Sequence, residues 1–108
     1  MRRSDFDESA GHAKKAYRSA SVLQDKERQA KALYFLGLTY YYNNIADTSM
    51  DYLRQAEEIY RLEKNHEDLA KVLSMLGTCY LSITGDQEKA ISYYNEALHH
   101  ARKHSSIT

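Results

Sequence analysis

Apolar residues along this chain recur at three- and four-residue steps. Leu33, Leu36, Gly37 and Tyr40 make one such series, and Leu73, Leu76, Gly77 and Tyr80 make another. Ala90, Tyr94, Ala97 and Ala101 make a third. That spacing places each set on one face of a helix. The pattern predicts five helices, at about 5–24, 26–43, 47–63, 66–83 and 86–103. Asn43-Asn44 and Gly85 can take the left-handed turn that closes a helix. Asp47, Asn65 and Asp86 can cap the helix that follows by accepting backbone N–H bonds.

The pattern also repeats on a longer scale. Residues Ala30-Lys31-Ala32-Leu33-Tyr34-Phe35-Leu36-Gly37-Leu38-Thr39-Tyr40-Tyr41 align with Ala70-Lys71-Val72-Leu73-Ser74-Met75-Leu76-Gly77-Thr78-Cys79-Tyr80-Leu81 at a shift of forty. The same shift pairs Ala16 with Ala56, Ala10 with Met50 and Ala13 with Leu53. Residues 90–98 match 49–57 with one extra residue in the intervening turn. Such self-similarity marks a helical repeat array. Gly37 and Gly77 fall where paired helices must cross closely, answered by Ala56, Ala90 and Ala97. Leu33, Leu36, Tyr40 and Leu53 fill the remaining space, as do Leu73, Leu76, Tyr80 and Tyr94 one repeat later. Loss of one such large side chain costs roughly 2–5 kcal/mol.

Composition narrows the function classes. The 108 residues contain no proline and four glycines, which favours uninterrupted helices. Fifteen basic and fifteen acidic side chains cancel, so the basic excess of a phosphate-gripping protein is missing and no nucleic-acid partner is expected. Ten of the twelve aromatic residues are tyrosine, suited to half-buried surfaces. Cys79 is the only cysteine, so no intrachain disulfide forms. The first residues, Met1-Arg2-Arg3-Ser4-Asp5, lack the apolar run of a signal peptide, and no stretch approaches the ~20 apolar residues of a membrane span. A cytoplasmic protein without a membrane partner is expected.

The series Leu33…Leu36-Gly37…Tyr40…Ser49…Leu53…Ala56, followed by Leu73…Leu76-Gly77…Tyr80…Ala90…Tyr94…Ala97, resembles the tetratricopeptide repeat (TPR). The resemblance covers about residues 30–102. It departs from the family in its forty-residue period, against the usual ~34, and in lacking the closing proline. Glu57 also stands where Leu98 supplies an apolar side chain in the other copy. Longer repeats of this kind are similar to those of bacterial regulatory proteins. The resemblance implies an all-α fold, with antiparallel helix-turn-helix repeats stacked in a short right-handed superhelix. It implies one domain over 1–108: the second helix of an incomplete repeat at 5–24, then repeats at 26–63 and 66–103. The array begins and ends on a second-type helix, so a longer parent protein is expected.

The resemblance further implies a protein- or peptide-binding scaffold or sensing module, with no catalysis of its own and no cofactor. By family position, the first helix of each pair lines a concave groove. Those positions are Lys31, Tyr34, Leu38, Tyr41 and Tyr42, then Lys71, Ser74, Thr78 and Leu81. Their chemistry suits a peptide with apolar anchors and some negative charge. Tyr34, Leu38, Ser74 and Thr78 occupy places where chaperone-tail-binding members need polar clamp residues, so that ligand is not expected. Tyr34 and Tyr41 can instead pack beneath a further helix. The alternative function is self-association into a homodimer.

Other features read as structural. Tyr40, Tyr80, Tyr93 and Tyr94 follow the repeat and are expected to pack. His99, His100 and His104 end a helix; two of them are four apart, but a solvated helix end explains them more simply than a metal. His12 and His66 stand alone. Cys79 is expected to be buried and inert. Glu57, Glu58, Glu63, Glu67 and Asp68 make a solvated acidic stretch. No phosphate loop, nucleophile elbow or zinc-knuckle spacing is present.

Overall fold

A computed structural model describes residues 3–107. Five helices follow one another: α1 (Arg3–Val22), α2 (Lys26–Tyr42), α3 (Ala46–Leu62), α4 (His66–Cys79) and α5 (Gln87–Ile107). Each packs against the next along the chain. The result is a slab of 39 × 36 × 19 Å, whose thin dimension accommodates two layers of helices about 10 Å apart. The all-α expectation holds, as do the five helices within a few residues.

The turns show how the period arises. Gln24, Asn44 and Lys64 take left-handed φ values of 56°, 62° and 55°, and Gly85 follows at 70°. In the first three turns the next N–H reaches back five residues: Asp25 to the Ala20 carbonyl, Ile45 to Tyr40 and Asn65 to Tyr60. This 6→1 bond satisfies a carbonyl that the helix end leaves open. The residue that completes one closure is also the N-cap of the following helix. Asp25 accepts the Arg28 N–H and Asn65 accepts the Asp68 N–H, both at 3.1 Å. Asp86 accepts the Lys89 N–H at 3.0 Å.

Asp47 does not cap α3. The closure onto Tyr40 makes Ile45 the cap residue, which offers no side-chain bond. Asp47 instead lies inside the first turn, where its charge faces the positive helix end.

The one extra residue before the last helix is absorbed at the end of α4. Tyr80–Thr84 form a π-helical turn closed by Gly85. The Thr84 hydroxyl and the Gly85 and Asp86 N–H groups all donate to the Tyr80 carbonyl.

Leu33, Leu36, Leu53, Leu69, Leu73, Leu76, Val72 and Cys79 form the buried centre. A Cβ on Gly37 would lie 2.6 Å from the Leu53 side chain, and one on Gly77 would lie 3.0 Å from Tyr94 and 3.2 Å from the Ala90 carbonyl. Both glycines therefore mark close helix crossings. Ala90 answers Gly77 as expected, but Leu53 and Ser49, not Ala56, face Gly37. Ser49 is fully buried, and its hydroxyl donates to the Gly37 carbonyl at 2.7 Å. Ala16 is exposed although its repeat partner Ala56 is buried, because α3 packs on both α2 and α4 whereas α1 packs chiefly on α2 alone.

Tyrosines stitch neighbouring helices together. Tyr40 meets Phe6 of α1 edge-on at 5.1 Å and Tyr52 of α3 at 5.4 Å. Tyr80 lies nearly parallel to Tyr93 of α5, with their centroids 5.3 Å apart.

Candidate partner-binding groove

A depression of about 740 Å³ lies over α4 and α5. Tyr34 of α2 forms its near wall. Ser74, Met75 and Thr78 of α4 line its floor, and Tyr94, Ala97, Leu98 and Ala101 of α5 line the far side. Glu67, Lys71 and His104 stand at one end. Four of the nine residues expected by family position are thus together: Tyr34, Lys71, Ser74 and Thr78.

The other five lie elsewhere. Tyr41 and Tyr42 line a second depression of about 390 Å³ with Asn44, Ala46, Ser82 and Ile83. Their rings meet edge-on at 5.3 Å, and the Tyr41 hydroxyl lies 3.2 Å from Ser82 Oγ. Lys31 lines a third, of about 500 Å³, between α1 and α2. Leu38 is half-buried and Leu81 exposed, and neither lines these three depressions.

The groove walls are held by specific bonds. The Thr78 hydroxyl donates its one proton to the Ser74 carbonyl at 3.0 Å. Tyr94 then donates to Thr78 at 2.8 Å, which fixes its ring above Gly77. Tyr34 and Tyr41 are half-buried and packed against the core. Burial holds the Tyr34 phenol pKa above its ordinary value, with smaller contributions from Tyr42 and the Asp68 charge, so it stays neutral.

Both expected lysines already face acids on their own helices. Lys31 is 3.2 Å from Glu27, and Lys71 is 3.8 Å from Asp68 and 4.0 Å from Glu67. The Lys31–Glu27 and Lys71–Glu67 pairs are exposed, and such pairs contribute about 0.2–1 kcal/mol, so a ligand carboxylate can displace them.

The sequence pattern did not point to the α5 wall. Its signal lay in the departure at Glu57, whose counterpart in the repeat is Leu98. Glu57 accepts from Arg61 at 2.8 Å, and Arg61 also binds Glu96 of α5 at 2.6 Å. A salt network therefore stands on α3 where α5 presents a half-exposed leucine to the groove.

The remaining singled-out residues have clear places. Tyr40, Tyr80, Tyr93 and Tyr94 pack as expected. Cys79 is fully buried, and burial raises its thiol pKa. His66 is not alone: it meets His100 across the α4–α5 crossing. Among the described residues, no three His, Cys, Asp or Glu side chains are placed to hold a metal ion, and no helix is long and apolar enough to cross a membrane.

A helical array closed every twenty or twenty-one residues, with glycine crossings and an apolar trough, belongs to the class of stacked helical-hairpin repeats. A family model described as Tetratricopeptide repeat matches residues 46–103, more than half of the chain. The chain belongs to the tetratricopeptide repeat family. No curated protein and no solved structure matches the chain. Repeats of this family typically act as non-catalytic scaffolds for protein–protein interaction.

Proposed function

We propose that the chain is a scaffold module that binds a peptide segment of another protein in the trough over α4 and α5. The supporting observation is the depression of about 740 Å³ bounded by Tyr34, Met75, Tyr94 and Leu98, with charged groups at one end only. Ligand pockets of about 300–1,000 Å³ with mostly apolar walls and few polar groups bind by burying apolar anchors. The occupant is an extended or helical segment whose apolar side chains enter between Tyr34 and Leu98, with an acidic group reaching Lys71. The long repeat supports a place within a larger regulatory protein of the cytoplasm.

Affinity capture from host lysate tests this. Leu98→Glu puts a charge on the trough wall at a position 48% exposed, so the fold tolerates it. Capture is expected to be lost with Leu98→Glu and kept with Tyr42→Ala, which alters the second depression at a position 65% exposed. Equal capture by both variants would rule the trough out.

A second observation favours self-association. Val22, Leu23 and Phe35 are 83%, 69% and 51% exposed at the α1/α2 end, beside the alanine-lined third depression. Pairing of two copies there predicts a mass that rises with concentration in light scattering. A strict monomer would rule it out.

A further inference from the structure

We propose that His66 and His100 share one proton across the α4–α5 crossing and make the closure of that end of the molecule pH-sensitive. His66 is the first residue of α4, and His100 lies toward the end of α5. Their Nδ1 atoms are 2.9 Å apart, the ring planes differ by 18° and the centroids are 5.1 Å apart. The nitrogen separation plus the two ring radii nearly equals the centroid separation. Both nitrogens therefore lie on the line joining the rings, which meet edge to edge in almost one plane.

In that arrangement one Nδ1 carries a hydrogen and the other offers its lone pair. The bond forms when both rings are neutral or when one is charged. With two charges, N–H groups face each other and the bond is lost. The separation suits a proton and not a metal: a zinc-type ion needs ~2.0–2.1 Å to each nitrogen and further ligands. No third ligand is placed there among the described residues.

Charged and titratable groups surround the pair on both helices. On the His100 side, Glu96 Oε2 of α5 lies 3.5 Å from Nε2, and the His99 ring stands edge-on at 5.3 Å. Arg61 of α3 binds that same Glu96 oxygen and Glu57. On the α4 side, Asp68 is held by Asn65 at 2.8 Å and by Lys71 at 3.8 Å, and Glu67 faces His104 at 3.5 Å. A charge on His66 would face the His100 ring and sit at the positive end of α4. Lost solvation, then His100, Lys103, His99 and His104, hold the His66 pKa below its ordinary 6.5.

The sign follows from linkage. As pH falls below about 6.5, the unfolded chain takes up a proton that folded His66 refuses, so stability is lost toward acid pH. Arrival of that proton parts the first turn of α4 from α5. Glu67 and His104, which flank the pair, also stand at the end of the trough. The device requires no bound partner.

Two measurements on the 108-residue chain test it. Histidine nitrogen NMR titration is expected to show His66 titrating below its ordinary value, and moving up toward it in His100→Gln. The melting temperature is expected to fall more between about pH 7.5 and pH 5 in the parent chain than in His66→Gln. A His66 that titrates at or above the ordinary value overturns the proposal, even if His100→Gln fails to fold. So do superimposable melting profiles for the parent chain and His66→Gln.

Discussion

At Gly37 the helices α2 and α3 come so close that a Cβ would sit 2.6 Å from Leu53. At Gly77 the same atom would sit 3.0 Å from the Tyr94 ring. Gly37→Ala is therefore expected to cost more than Gly77→Ala, within the roughly 1–3 kcal/mol of an overpacked core. Urea titration of both variants measures the difference, and equal midpoints would contradict it. The Gly37 crossing is also held by Ser49. Ser49→Ala is expected to cost about 1 kcal/mol, because the crossing loses a buried hydrogen bond to the Gly37 carbonyl. The glycines were legible in the sequence because glycine weakens a helix interior, so one standing inside an apolar helical series points to a close crossing. Ser49 was legible only as a repeat position. Its bond runs to a backbone carbonyl twelve residues away, which no side-chain pattern records. His66 was missed for a related reason: its partner lies thirty-four residues away on another helix.

Helix existence was legible at the element scale because spacing alone sets which face is apolar. Helix ends were less so, because a turn is chosen by backbone closure as well as by residue type. Gln24 and Lys64 hold left-handed conformations that glycine or asparagine would advertise. Lys64→Gly is expected to stabilise the chain by about 0.5–1 kcal/mol by relieving that strain. The Asp47 expectation failed because the closure onto Tyr40 had already fixed the cap at Ile45. The two aspartates therefore separate by experiment. Asp25→Ala removes a capping bond and is expected to cost about 1 kcal/mol. Asp47→Ala removes only a charge in the first turn and is expected to cost about 0.3 kcal/mol. Chemical denaturation of each variant measures this, and a larger loss at Asp47 would contradict the cap assignment.

For the whole molecule, the repeat decides which faces are covered. On α3, the Glu57–Arg61–Glu96 network links two second-type helices on the flank of the stack. On α5, the matching stretch carries Leu98 and borders the trough. Part of the proposed site was legible because family position names residues of the first helices, and Tyr34, Lys71, Ser74 and Thr78 do meet. The α5 wall was not, because it arises where the two copies differ. The most direct test of the central proposal is site-directed photo-crosslinking in host cells. A photoreactive residue replaces Leu98 in one chain and exposed Glu58 of α3 in another. A scaffold that binds its partner in the trough predicts adducts with another protein from position 98 and none from position 58. Adducts from position 58 alone, or equally from both, would contradict it.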